Sequence, residues 1–170
     1  MTFWPLKSVM PVLLHEVVPL QAPLPPSAPE GRERLEDFVL EAMREIADAE
    51  VAVLNRGALR PVAAALMEQR PLTSEVVVRM LSIDQQVVAG VLTGKDLTAL
   101  AAESAKRVDV DGAPRLDSLR STGLTFDIED GGPKNLKVNG RPLYPQDRYR
   151  VVTNDYLAAG GDGYEVLEDM

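Results

Sequence analysis

Tyr149-Arg150-Val151-Val152-Thr153-Asn154-Asp155-Tyr156-Leu157-Ala158-Ala159-Gly160-Gly161-Asp162-Gly163-Tyr164 runs from an apolar strand into a glycine loop that holds one acid between two tyrosines. The strand sets where the loop begins. Gly160, Gly161 and Gly163 let the backbone turn with positive φ or approach a ligand closely, and Tyr156 and Tyr164 offer flat faces on which a ring can stack. Asp162 fits two roles: an aspartate steadies such a turn through its own backbone, and its carboxylate accepts hydrogen bonds from neighbouring hydroxyls. The rest of the chain has to decide between a turn and a site.

Upstream of this stretch the texture is β. Leu124 to Ile128 and Leu136 to Val138 read as strands joined through the Asp130-Gly131-Gly132-Pro133 turn, with Tyr149 to Thr153 as another strand. Further towards the N-terminus the pattern is helical. Leu35, Phe38, Val39, Ala42, Met43, Ile46 and Ala47 recur at the three-and-four spacing that predicts an amphipathic helix over Glu33 to Asp48. Val51 to Leu54 follows as a short buried strand and ends in the turn Asn55-Arg56-Gly57-Ala58-Leu59-Arg60. A second helix is expected over Ser74 to Leu81, a strand over Val87 to Leu92, and a third helix over Lys95 to Arg107 with Thr93 as its N-cap. Helices first and hairpins afterwards predict an α+β domain, its helices packed on a mixed or antiparallel sheet.

The composition narrows what such a domain can do. A net charge of −8 over 170 residues argues against a nucleic-acid backbone or an anionic membrane as the main partner, since both need a concentrated basic face. The chain has no cysteine and a single histidine, His15, too few ligands for a hydrolytic zinc site or a two-metal phosphoesterase centre. Seven of the thirteen prolines fall between Pro5 and Pro29. Residues 1–30 therefore read as a proline-rich arm or linker and 31–170 as the domain. A signal peptide is a weaker reading of that arm, because Pro11, His15 and Glu16 interrupt its apolar stretch.

Five blocks, in order, carry a resemblance to a known family. Asn55-Arg56-Gly57-Ala58-Leu59-Arg60, Leu92-Thr93-Gly94-Lys95-Asp96-Leu97, Ser121-Thr122-Gly123-Leu124, Asn139-Gly140-Arg141-Pro142-Leu143 and the Tyr149 to Tyr164 stretch together resemble the C-terminal domain of the 5′-nucleotidase and 2′,3′-cyclic phosphodiesterase family. The resemblance implies a domain that binds substrate, a nucleoside or nucleotide, beside a separate metallophosphoesterase domain that attacks the phosphate. It therefore implies no cofactor in this chain, the divalent metals belonging to that other domain, and a location outside the cytoplasm.

Carried over by position, Tyr156 stacks on the base and Asp162 accepts from the ribose hydroxyls, next to Gly160 and Gly161. Arg60, Asn55 and Arg34 orient the polar end of the ligand. Two positions depart from the family pattern. Ile83 stands where a second aromatic is expected, which removes one wall of the base sandwich, and Ala58 replaces a usual glycine in the arginine turn. The alternatives are a stand-alone nucleoside-binding module, an interaction domain with a vestigial pocket, and a relative that hydrolyses sulfur compounds.

Overall fold

A computed structural model describes residues 2–5, 29–58 and 85–170, with side chains described for 36–58 and 85–170. Eight strands and three α-helices lie within those residues. A five-stranded sheet has the order β1-β3-β8-β2-β4, built from β1 (Thr2–Pro5), β2 (Val51–Asn55), β3 (Gln86–Thr93), β4 (Leu119–Thr122) and β8 (Arg148–Asn154). A three-stranded sheet joins β5 (Leu124–Glu129), β6 (Gly132–Val138) and β7 (Arg141–Pro142) in that order. The helices are α1 (Pro29–Ala47), α2 (Gly94–Ala105) and the single turn α3 (Asp155–Ala158). Helices over mixed and antiparallel sheets make this the α+β domain that the sequence predicts.

Strand alternation divides the core into two halves. In β2, Ala52 and Leu54 face the cluster formed with Val39, Leu40 and Met43 of α1, while Val51 and Val53 face a second cluster with Leu97 and Leu100 of α2. Val152 and Val151 of β8 divide in the same way. Short runs such as Val51–Leu54, buried throughout, are thus explained by cover on both faces.

The pairing of β2 with β8 is parallel, with Val51 opposite Val151 and Ala52 opposite Val152. The other pairings among the described strands are antiparallel, and β3 lies against β8 from Val87↔Asn154 to Thr93↔Arg148. Parallel neighbours end on the same side. Asn55, the last residue of β2, and Asn154, the last of β8, therefore come out together at one end of the sheet.

Thr93 caps α2 through a capping box: its hydroxyl accepts from the Asp96 N–H, and the Asp96 carboxylate accepts from the Thr93 N–H at 2.9 Å. Helix α2 ends at Ala105, two residues short of the predicted Arg107. Helix α1 begins at Pro29, four residues before the predicted Glu33, since proline suits the first turn of a helix. The hairpin between β5 and β6 turns on Asp130 and Gly131 alone, both at positive φ, so Pro133 belongs to β6 and pairs with Ile128. Within the arm expected over residues 1–30, Thr2–Pro5 forms an edge strand against Ala89–Gln86 of β3. The helix expected over Ser74 to Leu81, like His15, lies outside the described residues.

Candidate functional site

Asn154 closes β8 and starts α3, its side-chain oxygen accepting the Leu157 N–H at 2.8 Å. After that one turn the chain must reverse, and Gly160 does so at φ 76. A side chain at Gly160 would meet only the Glu168 carboxylate, an exposed side-chain end that can swing aside, so it is the left-handed conformation that calls for glycine here. Gly161 lies against the body of Tyr156. A Cβ there would stand 2.5 Å from the Tyr156 carbonyl oxygen and 2.6 and 2.7 Å from ring atoms Cε1 and Cδ1.

Asp162 follows at φ 54, a left-handed conformation that costs a non-glycine residue about 1–2 kcal/mol. Three hydrogen bonds hold it there. The Tyr156 hydroxyl donates to Asp162 Oδ1 at 2.7 Å and accepts the Asp162 N–H at 3.1 Å. From across the sheet, Asn55 Nδ2 donates to Asp162 Oδ2 at 2.8 Å. The hydrogen bond to Asp162 is the largest reason that the Tyr156 phenol is held above its ordinary pKa. Asn55 Oδ1 is buried and has no hydrogen-bond partner among the described residues.

Tyr164 anchors the far end of the loop. It is fully buried, its hydroxyl donates to the Asp117 carbonyl oxygen at 2.9 Å, and burial pushes its pKa up to about 12. The Arg107 guanidinium lies over its ring, 4.3 Å from the centroid, while Nη1 of that arginine donates to Asp117 Oδ2 at 3.1 Å. The loop is therefore pinned at Tyr156, at Asn55 and at Tyr164.

Of the residues expected at the site, the structure brings Asn55, Tyr156, Gly160, Gly161 and Asp162 together. Arg34 lies on α1 but its side chain is outside the described residues, as are Arg60 and Ile83 altogether. The resemblance assigns Asn55 to the polar end of a ligand; in the structure its Nδ2 donates to Asp162 Oδ2. Arg56, in the same turn, donates to the buried Glu36 carboxylate at 3.3 Å. Arg107 was not singled out from the sequence, because a basic residue just past a helix end gives no sign that it lies over an aromatic ring.

Chemically, the cluster presents an aromatic ring, 46% of Tyr156 being exposed, beside a carboxylate. A carboxylate has about four acceptor positions. Among the described residues Tyr156 and Asn55 take one on each oxygen, leaving one on each for an outside donor. Among the described residues no group of three or more histidine, cysteine, aspartate or glutamate side chains is arranged to hold a metal ion.

Residues 22–169 match the family model for the 5′-nucleotidase C-terminal domain, and the chain belongs to that family. It is 27% identical over 133 residues to Protein UshA of Escherichia coli strain K12, covering 78% of this chain and 22% of that protein. It is 29% identical over 126 residues to a 5′-nucleotidase of Vibrio vulnificus, covering 72% and 21%. Among solved structures, the 5′-nucleotidase precursor from Thermus thermophilus superposes with a TM-score of 0.60 at 27% identity, over 82% of this chain and 28% of that one. A Staphylococcus aureus protein described as a 5′-nucleotidase shares the fold, with a TM-score of 0.68 at 18% identity over 88% of this chain and 33% of that one. The chain thus spans about a fifth of the length of these curated relatives.

Proposed function

We propose that this chain recognises a nucleoside or nucleotide, with Tyr156 stacking on the base and Asp162 accepting the two ribose hydroxyls. The observation that carries this reading is the carboxylate of Asp162, held by Asn55 and Tyr156 with one acceptor position left on each oxygen beside an exposed aromatic ring. Stacking of a base on an aromatic side chain contributes about 1–3 kcal/mol whichever base it is. A carboxylate adds selectivity for adjacent hydroxyls through charge-assisted hydrogen bonds. Arg60 and Arg34 are assigned to the polar end of the ligand, where the planar guanidinium grips phosphate with paired donors.

The described donors do not fit a hydrolytic metal centre, so no bond-breaking step is assigned to them. A separate metallophosphoesterase unit is the proposed partner for catalysis. Calorimetric titration with adenosine and with AMP tests the reading. The expected result is binding of both ligands, lost in Tyr156→Ala, with Arg60→Ala weakening AMP more than adenosine. Absence of binding at millimolar ligand would refute it.

A further inference from the structure

The hydroxyl of Tyr156 and the main chain and side chain of Asp162 form a closed ring of two hydrogen bonds, 2.7 Å to Oδ1 and 3.1 Å from the N–H. A phenol has a single proton to donate, and here it is spent inside the loop. A ligand therefore meets the ring of Tyr156 but receives no donor from its hydroxyl. The residues around Asp162 offer little else to hold it, since Gly160, Gly161 and Gly163 carry no side chains. The loop has its own turn bonds, Gly163 N–H to Gly160 O at 3.0 Å and Tyr164 N–H to Gly161 O at 3.2 Å, but these fix backbone and leave the carboxylate free to rotate. Tyr156 on one oxygen and Asn55 on the other stop that rotation.

We propose that the Tyr156 hydroxyl is a positioning group that selects for ligands with a vicinal diol, by locking the Asp162 carboxylate with one open acceptor on each oxygen. A plain aromatic at this place would give the stacking surface without the lock. The ligand part of this inference rests on the nucleoside reading above, whereas the lock itself is readable without any ligand.

The test uses Tyr156→Phe, which keeps the ring and removes the hydroxyl. Calorimetric titration with adenosine and with 2′,3′-dideoxyadenosine separates the two contributions. Since a hydrogen bond to a charged group is worth enough to change binding about tenfold or more, Y156F should weaken adenosine by about that factor. Dideoxyadenosine, which has no diol to present, should lose less than about twofold. In an Asp162→Asn background, Y156F should cost adenosine nothing further.

Equal losses for the two ligands, or tighter adenosine binding by Y156F, would overturn the proposal, the second showing that the hydroxyl competes with the diol. Amide hydrogen exchange without ligand reads the lock alone, and the Asp162 N–H should exchange about tenfold faster in Y156F. Unchanged exchange overturns the lock. A wild-type chain that binds neither nucleoside overturns the nucleoside reading and the diol selection with it. Faster exchange in that case still supports the lock.

Discussion

Replacing Asn55 with aspartate changes one atom type at the centre of the cluster and little else in shape. The amide nitrogen that donates to Asp162 Oδ2 at 2.8 Å becomes an oxygen of like charge. Two such charges at that separation repel by about 1.5 kcal/mol in water and about 6 kcal/mol at an effective dielectric constant of about 20. Asp162 is only partly buried, so the lower end governs. The lost hydrogen bond to a charged acceptor adds about 1.5–3 kcal/mol, for a total of about 3–4.5 kcal/mol at pH 7.5.

The pair can relieve this by sharing a proton, which raises its folded-state pKa above the unfolded value of about 4. The penalty is then complete above the raised pKa and disappears as pH falls through it. Urea denaturation at pH 7.5 and 4.5 measures the effect. With a slope of about 2 kcal/mol per molar, N55D should lower the midpoint by about 1.5–2.2 M at the higher pH and by clearly less at the lower. Asn55→Ala loses the donor without adding charge, so its deficit should depend far less on pH. If N55D matched N55A at both pH values, the placement of Asn55 against the Asp162 carboxylate would be wrong.

Other consequences are as direct. Gly161→Ala puts a methyl group into the Tyr156 ring and carbonyl; it should weaken adenosine binding at least about tenfold, read by calorimetry, through displacement of the ring. Tyr156→Ala should cost about 1–3 kcal/mol in nucleoside affinity whichever base is offered, and a loss confined to one base would contradict stacking. Because the folded chain holds the Tyr164 phenol proton more tightly than the unfolded chain, that contribution to stability is whole below about pH 10 and lost as pH rises through about 12. Spectrophotometric titration of Tyr164→Phe should therefore lack the step near pH 12, and an unchanged curve would refute the assignment. Asp37→Asn weakens the paired bonds from Arg120 Nε and Nη2 that tie α1 to β4, both 2.8 Å; being partly exposed, they should contribute about 1 kcal/mol or less to thermal or urea stability.

Local chemistry was legible in the sequence wherever one residue type suffices. The Thr93 cap, the apolar spacing of α1, and a turn beginning at Asp130-Gly131, though expected to run on to Pro133, follow from short-range rules. Strand β4 was missed because Leu119-Arg120-Ser121-Thr122 is polar and only partly buried, without the alternation that marks a strand. Strand β1 was missed for a different reason. Its sequence opens a proline-rich stretch, and the pairing that makes it a strand is supplied by β3; Pro5 is tolerated there because an edge strand needs partners on one side only.

At the site, Tyr156 and Asp162 were visible as candidates because they lie six positions apart across a glycine turn. Their hydrogen bond to each other, and the engagement of Asn55 with the same carboxylate, were not. The latter depends on β2 and β8 lying side by side, a relation that periodicity does not carry.

The Asn55–Asp162 bond joins residues 107 positions apart. Closing a loop of that length costs about 4 kcal/mol in chain entropy beyond a constant, and nothing near the loop repays it until the sheet is in place. Contacts of such separation form late when a domain folds. During synthesis, then, β2 and its asparagine are present long before β8 arrives to meet them, and the Asn55 amide has no Asp162 carboxylate to bond until both strands lie side by side. A chain stalled before β8 would leave Val51–Leu54 without its parallel neighbour, a bare edge of the kind that seeds aggregation.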